Sequence, residues 1–548
     1  MNILGIHGGV TINQHDAGAA LLVDGKLISF VEEERLIRMK SARGALPIQS
    51  IFACLREAKL DIRDINFIAA CGETYDDQSR RISEYLVHHF GYSPEIVLVN
   101  HQLAHLASAF YPSGFQKAMC ISYDAYGDRL SGALGVGNRD GIEILKTFPA
   151  DNSLGIFYAT ITSFLGFMPG EDEYKVMGLA PYGLDPVDLS FFAAPAADGE
   201  YLVNSKYIRS NPSPASSFEQ FYSDELVKKL GQPRRKNEPI SDRHKNIAAG
   251  AQIALENCII SLIKGFEKKT GLKELCLAGG VALNCSANRL IYEMPEIENL
   301  FVQPSASDRG LALGAALEVA KRKGENIEKI RHVFYGPTYS EKDIVDSIAL
   351  AGYPVNKVAN PSKVAASMVA SGKIIGWFQG RSEFGPRALG HRSILAHPGL
   401  KNIKEEINAK VKFREEFRPF APAVMNDRAK EIFCIEGESP FMTIAVIVKD
   451  AWRDKLPGIT HINNTGRVQT VSMEDPRFYD LIFEFNKITN IPVVLNTSFN
   501  IKGQPIVETP LEAIATFAGT GIDAVFIGDY LIEKPLETRI NRSNISPI

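Results

Sequence analysis

Residues 17–31 read AGAALLVDGKLISFV, two apolar runs separated by Asp24-Gly25. Asp-Gly between two apolar runs is the strongest short-range signal for a β-hairpin. The same pattern returns at residues 131–145, where apolar runs flank Asp140-Gly141. A candidate strand precedes each hairpin: Met1–Ile6 and Met119–Asp124. The repetition predicts two similar half-domains, although Asp-Gly hairpins are common enough that coincidence stays an open alternative.

Strand and helix patterns alternate around these hairpins, which predicts an α/β protein. The helical segments have apolar residues at helical spacing, and the strands are short buried runs. The helices are Ile48–Leu60, Ser79–Phe90 and Asn246–Lys268; the strands are Ile65–Ala70, Ile374–Gly380 and Val493–Asn500. A chain of 548 residues is too long for one ordinary core. We expect two domains, residues 1–335 and 336–548, because the pattern changes near Phe334.

Composition excludes some classes of protein. The chain is 45% hydrophobic and 23% charged, as in an average globular protein. Its net charge of −4 gives no reason to expect a nucleic acid or a membrane surface as partner. The seven cysteines never form C-x-x-C, so we expect buried thiols in a reducing compartment. The N-terminus has no signal-peptide pattern and no 18-residue apolar run occurs, so the predicted location is cytoplasmic.

Residues 100–111, NHQLAHLASAFY, predict a helix that begins after Asn100 as N-cap. Residues four apart share one face of a helix, so His101 and His105 can direct two imidazoles to one point. A divalent transition metal binds two ligands from one helix in this way. Two structural histidines bonded to backbone or solvent are the alternative.

Two carboxylates favour the metal interpretation. Asp124 and Asp308 each end a short apolar run that we interpret as a strand, and a helix-like run begins at Gly310. Two imidazoles with two carboxylates form a nitrogen–oxygen set suited to Fe, Mn or Zn.

Two further segments allow more than one interpretation. Gly279-Gly280 lies between a candidate strand and a helix start, where backbone N–H groups can approach a nucleotide. An ordinary strand–helix turn has the same pattern. Residues 183–243 are rich in Pro, Ser and Asn and form either an inserted surface subdomain or a solvated connector.

The second domain contains a dense set of cations beside Gly and Pro. They alternate with Phe384, Phe413, Phe417 and Phe420, which favours a half-buried anion pocket over a solvated charge run. The cations are Arg381, Arg387, His391, Arg392, Lys410, Lys412, Arg414 and Arg418, with Arg467 further along. Leu495–Asn500 ends a predicted strand in amides and hydroxyls, which can orient oxyanions.

Six motifs together resemble the O-carbamoyltransferases that act on nodulation factors, cephamycins and aminoglycosides. They are Asn100-His101-x3-His105, Glu173–Gly183, Gly279–Asn284, Phe384–Gly390, Arg414–Pro422 and Leu495–Asn500. The resemblance covers almost the whole chain. It implies an N-terminal domain of the actin/hexokinase/heat-shock ATPase (ASKHA) fold, a duplicated ribonuclease H-like domain, and a C-terminal YrdC-like α/β domain.

The resemblance also implies a two-step reaction. The C-terminal domain would make carbamoyl adenylate from carbamoyl phosphate and ATP, and the N-terminal domain would transfer the carbamoyl group to a hydroxyl. The implied metal ligands are His101, His105, Asp124 and Asp308. The residues implied to line the adenosine are Gly279, Gly280 and Asn284. The implied phosphate and carbamoyl contacts are Arg387, His391, Lys412, Arg414, Arg418, Arg467, Asn496 and Ser498. His15 is the candidate base for the acceptor hydroxyl, with a structural histidine as the alternative.

Iron is the metal that the resemblance implies, and Mg²⁺ is a further candidate to accompany ATP. The expected partner is a small-molecule hydroxyl acceptor, neither nucleic acid nor membrane, and a homodimer is one possible assembly. A tRNA threonylcarbamoyl transferase and a sugar-kinase-like phosphotransferase are the alternative functions. The charge of −4 argues against the first, and a kinase of this fold needs carboxylates at its metal, with no helical histidine pair.

Overall fold

The computed structural model describes residues 1–9, 14–209 and 220–534. The chain forms two compact units. The first contains Met1–Tyr335 with two short later segments, Phe384–Pro386 and Thr443–Ala445, and the second contains the remainder. The long segment of the first unit ends at the residue where the sequence places the domain boundary.

Twelve strands and ten α-helices precede Gly336 in the described residues. The strands are β1 (Asn2–His7), β2 (Gly18–Val23), β3 (Lys26–Glu32), β4 (Phe67–Cys71), β5 (Glu95–Val99), β6 (Ala118–Gly127), β7 (Leu130–Asn138), β8 (Gly141–Pro149), β9 (Ala193–Pro195), β10 (Tyr201–Val203), β11 (Glu274–Ala278) and β12 (Asn299–Val302). The helices are α1 (Glu33–Ile37), α2 (Ile48–Ala58), α3 (Gln78–Phe90), α4 (His101–Ser113), α5 (Leu154–Phe164), α6 (Glu173–Leu179), α7 (Asp224–Leu230), α8 (Asp242–Thr270), α9 (Cys285–Tyr292) and α10 (Leu311–Arg322).

The first unit contains the same five-stranded sheet twice. One sheet has the order β3-β2-β1-β4-β5 and the other, written in the same direction, β8-β7-β6-β11-β12. In each, the first strand pairs antiparallel with the hairpin that follows it and parallel with a later strand. The duplication predicted from the two Asp-Gly hairpins is therefore confirmed. The first unit is a pair of ribonuclease H-like halves, the ASKHA arrangement.

Local sequence explains how each half is built. The β2–β3 turn places Asp24 and Gly25 at φ values of 49° and 77°, the left-handed region that the mirror-image hairpin turn requires. Leu4 on β1 and Leu21 on β2 are fully buried in the core of the first half, with Ile51 of α2. The amphipathic helix α2 thus covers an apolar face of the sheet that these strands form.

The long helix α8 passes a length and composition test for a membrane span. Its most apolar stretch has a mean hydropathy of 1.4, and 67% of that stretch is buried inside the protein. Buried core helices pass the same test, and no other helix among the described residues does so.

Three sequence-based expectations are wrong in detail. β6 continues to Gly127, so Asp124 lies inside the strand and not at its tip. β12 ends at Val302, and Asp308 opens a short 3₁₀ turn before α10. All seven cysteines are free thiols, but Cys434 is exposed and the other six are buried.

Seven helices and nine strands follow Tyr335 in the described residues. The helices are α11 (Glu341–Leu350), α12 (Pro361–Ala370), α13 (Ile403–Ile407), α14 (Ala429–Ile432), α15 (Asp450–Arg453), α16 (Pro476–Thr489) and α17 (Pro510–Ala518). The strands are β13 (Ile375–Phe378), β14 (Arg392–Ala396), β15 (Ala421–Met425), β16 (Ala445–Ile447), β17 (Thr465–Arg467), β18 (Gln469–Val471), β19 (Val493–Ser498), β20 (Ala524–Ile527) and β21 (Tyr530–Glu533).

A mixed seven-stranded sheet organises the second unit, in the order β18-β15-β19-β14-β13-β20-β21. Trp377 of β13, with Phe478 and Phe485 of α16, is fully buried in its core. A π-helical turn, Asn408–Lys412, extends α13 and brings Lys412 to the sheet. The unit is a mixed α/β domain, and its YrdC-like character stays a prediction.

Candidate active site

The four predicted metal ligands come together in the first unit. His101 Nε2 lies 3.2 Å and His105 Nε2 3.4 Å from Asp124 Oδ2. Both nitrogens lie 3.5 Å from Asp308 Oδ1. One ligand atom from each residue falls within 4.8 Å of the other three.

Local structure fixes these side chains. Asn100 caps α4, because its side chain accepts hydrogen bonds from the N–H groups of Gln102 and Leu103. The carboxylate of Asp128 accepts from the N–H of His101 at 2.8 Å. The N–H of Gly280 donates to Asp124 Oδ1 at 3.0 Å, which leaves Oδ2 toward the histidines.

The cluster has the chemistry of a cation site. His105 is fully buried, and neither of its ring nitrogens has a hydrogen-bond partner in the described part of the chain. Burial opposes charge, yet the adjacent carboxylates of Asp124 and Asp308 raise the pKa of His105 to about 9. Burial also opposes ionisation of Asp124, but His101 and His105 hold its pKa well below the usual range. Two adjacent carboxylates beside two imidazoles, of which that of His105 has no partner among the described residues, fit a divalent metal.

His15 lies beside a buried ion-pair network in the same unit. Its Nδ1 is 3.4 Å from Asp16 Oδ2, and Ser307 donates to that same oxygen at 3.1 Å. Arg309, the residue after the ligand Asp308, donates to Asp16 Oδ1 at 3.1 Å and through two nitrogens to Glu34 at 3.0 Å each. The network therefore connects the segment that carries Asp308 with the candidate base.

Charge at His15 follows from this network. Burial opposes protonation, but the hydrogen bond and the charge of Asp16 raise the pKa of His15 to about 9. His15 therefore carries a proton at neutral pH in this arrangement, and a base role requires it to lose that proton first. Asp16 has a φ of 59°, a left-handed conformation that is rare outside glycine and concentrated at functional sites.

The predicted adenosine segment follows β11. Gly279 precedes a 3₁₀ turn over Gly280–Leu283, and Asn284 caps α9 by accepting from the N–H of Ala287. The Asn284 side chain also exchanges two hydrogen bonds with Gln252 of α8, each of 3.0 Å. The predicted strand, Gly-Gly turn and helix start are confirmed, whereas the role in nucleotide binding stays a prediction.

Lys412 is the centre of the predicted anion pocket in the second unit. Its side chain is buried, and Nζ donates to Asn500 Oδ1 at 2.8 Å, to Ser498 Oγ at 3.1 Å and to the carbonyls of both residues. None of these acceptors is a carboxylate. Burial, with the charges of Arg414 and Arg418, lowers the pKa of Lys412 well below its usual range. A bound anion would offset this concentration of positive charge.

Arg414 and Arg418 lie in the loop after the π-helical turn. Arg414 donates from Nε to Asn408 at 2.8 Å, and its guanidinium lies 4.5 Å from the ring centroid of Phe420. Arg418 is partly buried, 3.7 Å from Glu415. Stacked and half-buried cations of this kind agree with a pocket rather than with a solvated charge run.

The other predicted residues lie elsewhere in the second unit. Asn496 is buried on β19 and donates to Ala388 and Gln469, but its Oδ1 has no partner among the described residues. His391 Nδ1 lies 2.6 Å from the carbonyl of Arg381. Arg387, between β13 and β14, and Arg467, at the end of β17, are half-buried.

Sequence reasoning missed five residues: His7, Asp16, Asp128, Arg309 and Asn500. Arg309 and Asp16 are direct neighbours of predicted site residues, and Asn500 closes a quoted motif, so adjacency was an available signal. His7 ends β1, where burial lowers its pKa to about 4. Asp128 follows β6 in a turn, and nothing in its spacing points to α4.

Comparison with known proteins identifies the family. The carbamoyltransferase N-terminus model matches residues 71–317, and the carbamoyltransferase C-terminus model matches residues 366–534. Nodulation protein NolNO of Sinorhizobium fredii is 38% identical over 95% of this chain and 79% of its own length. The chain belongs to the carbamoyltransferase family.

Other relatives extend over most of this carbamoyltransferase. Nodulation protein NolO of Bradyrhizobium diazoefficiens is 40% identical over 80% of this chain and 79% of its own length. Among solved structures, component A of (R)-2-hydroxyglutaryl-CoA dehydratase from Acidaminococcus fermentans is 18% identical, with a TM-score of 0.34, over 59% of this chain and 98% of its own. HypF of T. kodakarensis is 15% identical, with a TM-score of 0.33, over 60% of this chain and 48% of its own. The fold assignment rests on the strand order of the two sheets.

Proposed function

We propose that this carbamoyltransferase is an ATP-dependent O-carbamoyltransferase that works through carbamoyl adenylate. Water would first release phosphate from carbamoyl phosphate to give carbamate. A carbamate oxygen would attack the α-phosphorus of ATP and displace pyrophosphate. The hydroxyl of a small-molecule acceptor would then attack the carbamoyl carbon, lose its proton and displace AMP.

The observation that carries the proposal is the set of two histidines and two aspartates in the first unit, of which all but Asp308 are buried. A bound transition metal, for which iron is the candidate, would supply Lewis-acid stabilisation of the charge on the AMP leaving group. His101, His105, Asp124 and Asp308 would hold it. The duplicated fold, with the turn at Gly279-Gly280 after β11, supports an adenylate beside this set.

We propose that the first step takes place in the second unit. Lys412 is influenced by the positive charges of Arg414 and Arg418. Its Nζ donates to the neutral oxygens of Ser498 and Asn500 and to no carboxylate. Carbamoyl phosphate and the phosphates of ATP, with Mg²⁺ as a candidate companion, carry the opposite charge. Arg387, His391, Arg467, Asn496 and Ser498 are the further candidate contacts.

His15 is the proposed base for the acceptor hydroxyl. Asp16 fixes the imidazole through Nδ1, which leaves Nε2 to receive the hydroxyl proton. Arg309 and Ser307 hold Asp16 in turn. Without this support the imidazole could rotate, so we interpret Asp16 as the positioning partner of His15.

The acceptor class is part of the proposal. The net charge of −4 supports a small hydroxyl compound rather than tRNA or a membrane surface. Family membership makes carbamoyl transfer the reaction, so the sugar-kinase alternative is not carried further. No specific observation favours the tRNA-modifying alternative.

The test incubates the protein with ATP, carbamoyl phosphate and a panel of polyols, aminoglycosides and β-lactam alcohols. We expect AMP to accumulate only with carbamoyl phosphate and a competent acceptor together, and a product heavier than its acceptor by one carbamoyl group. A carbamoylated product formed without ATP consumption would contradict the adenylate route.

A further inference from the structure

His7 is a buried histidine beside the metal ligands that the proposed function does not use. It is the last residue of β1 and is 6% exposed. Its Nε2 has no hydrogen-bond partner among the described residues. A buried polar atom of this kind requires an explanation, because leaving it unsatisfied is costly.

The nearest carboxylate oxygen belongs to Asp308. His7 Nε2 lies 3.9 Å from Asp308 Oδ2, whereas His101 and His105 both face Oδ1 of the same carboxylate at 3.5 Å. The two oxygens of Asp308 are therefore divided, with one toward the helical histidine pair and the other toward His7.

Strand pairing holds the backbone of His7. It pairs with Gly18 in the antiparallel register of β1 and β2, in the sheet of the first half. Asp308, in contrast, opens a 3₁₀ turn after a loop and has no strand partner. Strand pairing thus holds the backbone of His7 beside the side chain of Asp308.

We propose that His7 is a positioning residue of the metal centre, donating from Nε2 to Asp308 Oδ2 so that the carboxylate keeps Oδ1 turned toward the metal. The inference rests on the metal site of the proposed function. The present 3.9 Å separation exceeds a hydrogen bond of about 2.7–3.2 Å. We expect it to shorten when a cation holds Oδ1. Hydrogen bonds to ligating carboxylates orient the ligand and strengthen metal binding.

A direct ligand role for His7 fits the geometry less well. The four atoms that converge within 4.8 Å come from His101, His105, Asp124 and Asp308, and His7 is outside that set. Its nitrogen is nearest to Oδ2 of Asp308, whereas the nitrogens of the two helical histidines are nearest to Oδ1.

The experiment measures Co²⁺ binding to the full-length protein by competition with a chromogenic chelator and by visible absorption. His7→Leu removes the donor at similar size, whereas His7→Gln keeps an N–H near the position of Nε2. His244→Leu is the matched control, because His244 is a 3% exposed histidine of the same unit whose Nδ1 accepts from the N–H of Ser241, the N-cap of α8, and it takes no part in the cluster.

We expect the Co²⁺ dissociation constant to rise about 10- to 100-fold in His7→Leu. The dissociation constant of His7→Gln should stay within about threefold of the parent value. That of His244→Leu, calculated for the folded fraction of the variant, should equal the parent value. At saturating Co²⁺ the absorption bands of His7→Leu should keep the parent intensity, because the ligand set is the same. If His7→Leu is unfolded by circular dichroism, His7→Asn, whose amide is too short to reach Asp308, should show the same loss.

Equal affinity in the parent and in His7→Leu or His7→Asn would overturn the inference. So would a change of band intensity at saturation, which would make His7 a ligand. Failure of the parent protein to bind Co²⁺ would instead overturn the metal centre, and the inference with it, so the two failures are distinguishable.

Discussion

Gly127 faces the ring of His101 so closely that no side chain fits between them. A Cβ atom at this position would lie 2.2 Å from ring atoms of His101. Gly127→Ala should therefore displace the imidazole and lower metal content, as measured by elemental analysis of the purified protein. Gly519→Ala is the control, because its nearest new contact is 3.4 Å away. Full metal content in Gly127→Ala would show that His101 is not a ligand in this orientation.

If His15 is the base, Asp16 sets the pH range in which it can accept a proton. The pKa of His15 is raised to about 9, so the neutral form needed for proton abstraction increases as pH rises through that value. Transfer from carbamoyl adenylate should accelerate over this range. In Asp16→Asn the anionic partner is lost, so the increase should begin at lower pH. The comparison is a pH–rate profile at saturating acceptor, and identical profiles would remove His15 from the role of base.

The sequence predicted the metal-type cluster but not its surroundings. His101 and His105 are readable because helical spacing places residues four apart on one face. His7 and Asp128 carry no such signal, since they reach the cluster only through the pairing of β1 with β2 and the turn after β6. Supporting contacts of this kind depend on tertiary structure and are not visible in local spacing.

At the scale of elements, the segment from the π-helical turn to Arg418 carries three cations of the proposed anion pocket, Lys412, Arg414 and Arg418. π-Helical turns are rare in proteins overall, but those that occur are often at functional sites. This one ends at Lys412, and Phe413 after it has the left-handed conformation. The sequence indicated the cations here, but no pattern predicts the extra residue in a helical turn.

Arg418 provides the test at this scale. A charge-assisted hydrogen bond contributes about 1.5–3 kcal/mol, so Arg418→Ala should reduce the rate at subsaturating carbamoyl phosphate by about ten- to a hundredfold. Arg428→Ala is the control, because Arg428 is only partly buried and pairs with Glu431, away from Lys412 in the chain. The measurement is pyrophosphate release against carbamoyl phosphate concentration. An unchanged dependence would place the carbamoyl phosphate site elsewhere.

Elements were predicted well where a local rule acts. The two Asp-Gly hairpins, the Asn100 cap and helix α8 all follow from turn chemistry, capping or periodicity. The end of β6 was misplaced because its pairing with β7 is interrupted after Tyr123 and resumes at Gly127. Such a bulge depends on the neighbouring strand, and the sequence of one strand does not reveal it.

For the whole molecule, the duplicated sheets and the separate mixed sheet suggest that two kinds of chemistry are divided between two units. The cation cluster lies in the second unit and the histidine–aspartate cluster in the first. If adenylate formation takes place in the second unit and carbamoyl transfer in the first, a substitution in one unit should impair only one of the two half-reactions. Lys412→Ala should lose pyrophosphate release, and His101→Ala should retain it while leaving the acceptor unmodified.

The most direct test of this division supplies carbamoyl adenylate preformed and measures carbamoyl transfer to the acceptor. We predict that Lys412→Ala transfers the carbamoyl group at close to the parent rate, because its defect lies in making the adenylate. His101→Ala should transfer little from the same adenylate. If Lys412→Ala fails with preformed adenylate as completely as His101→Ala does, both half-reactions share one site and the division between the units is wrong.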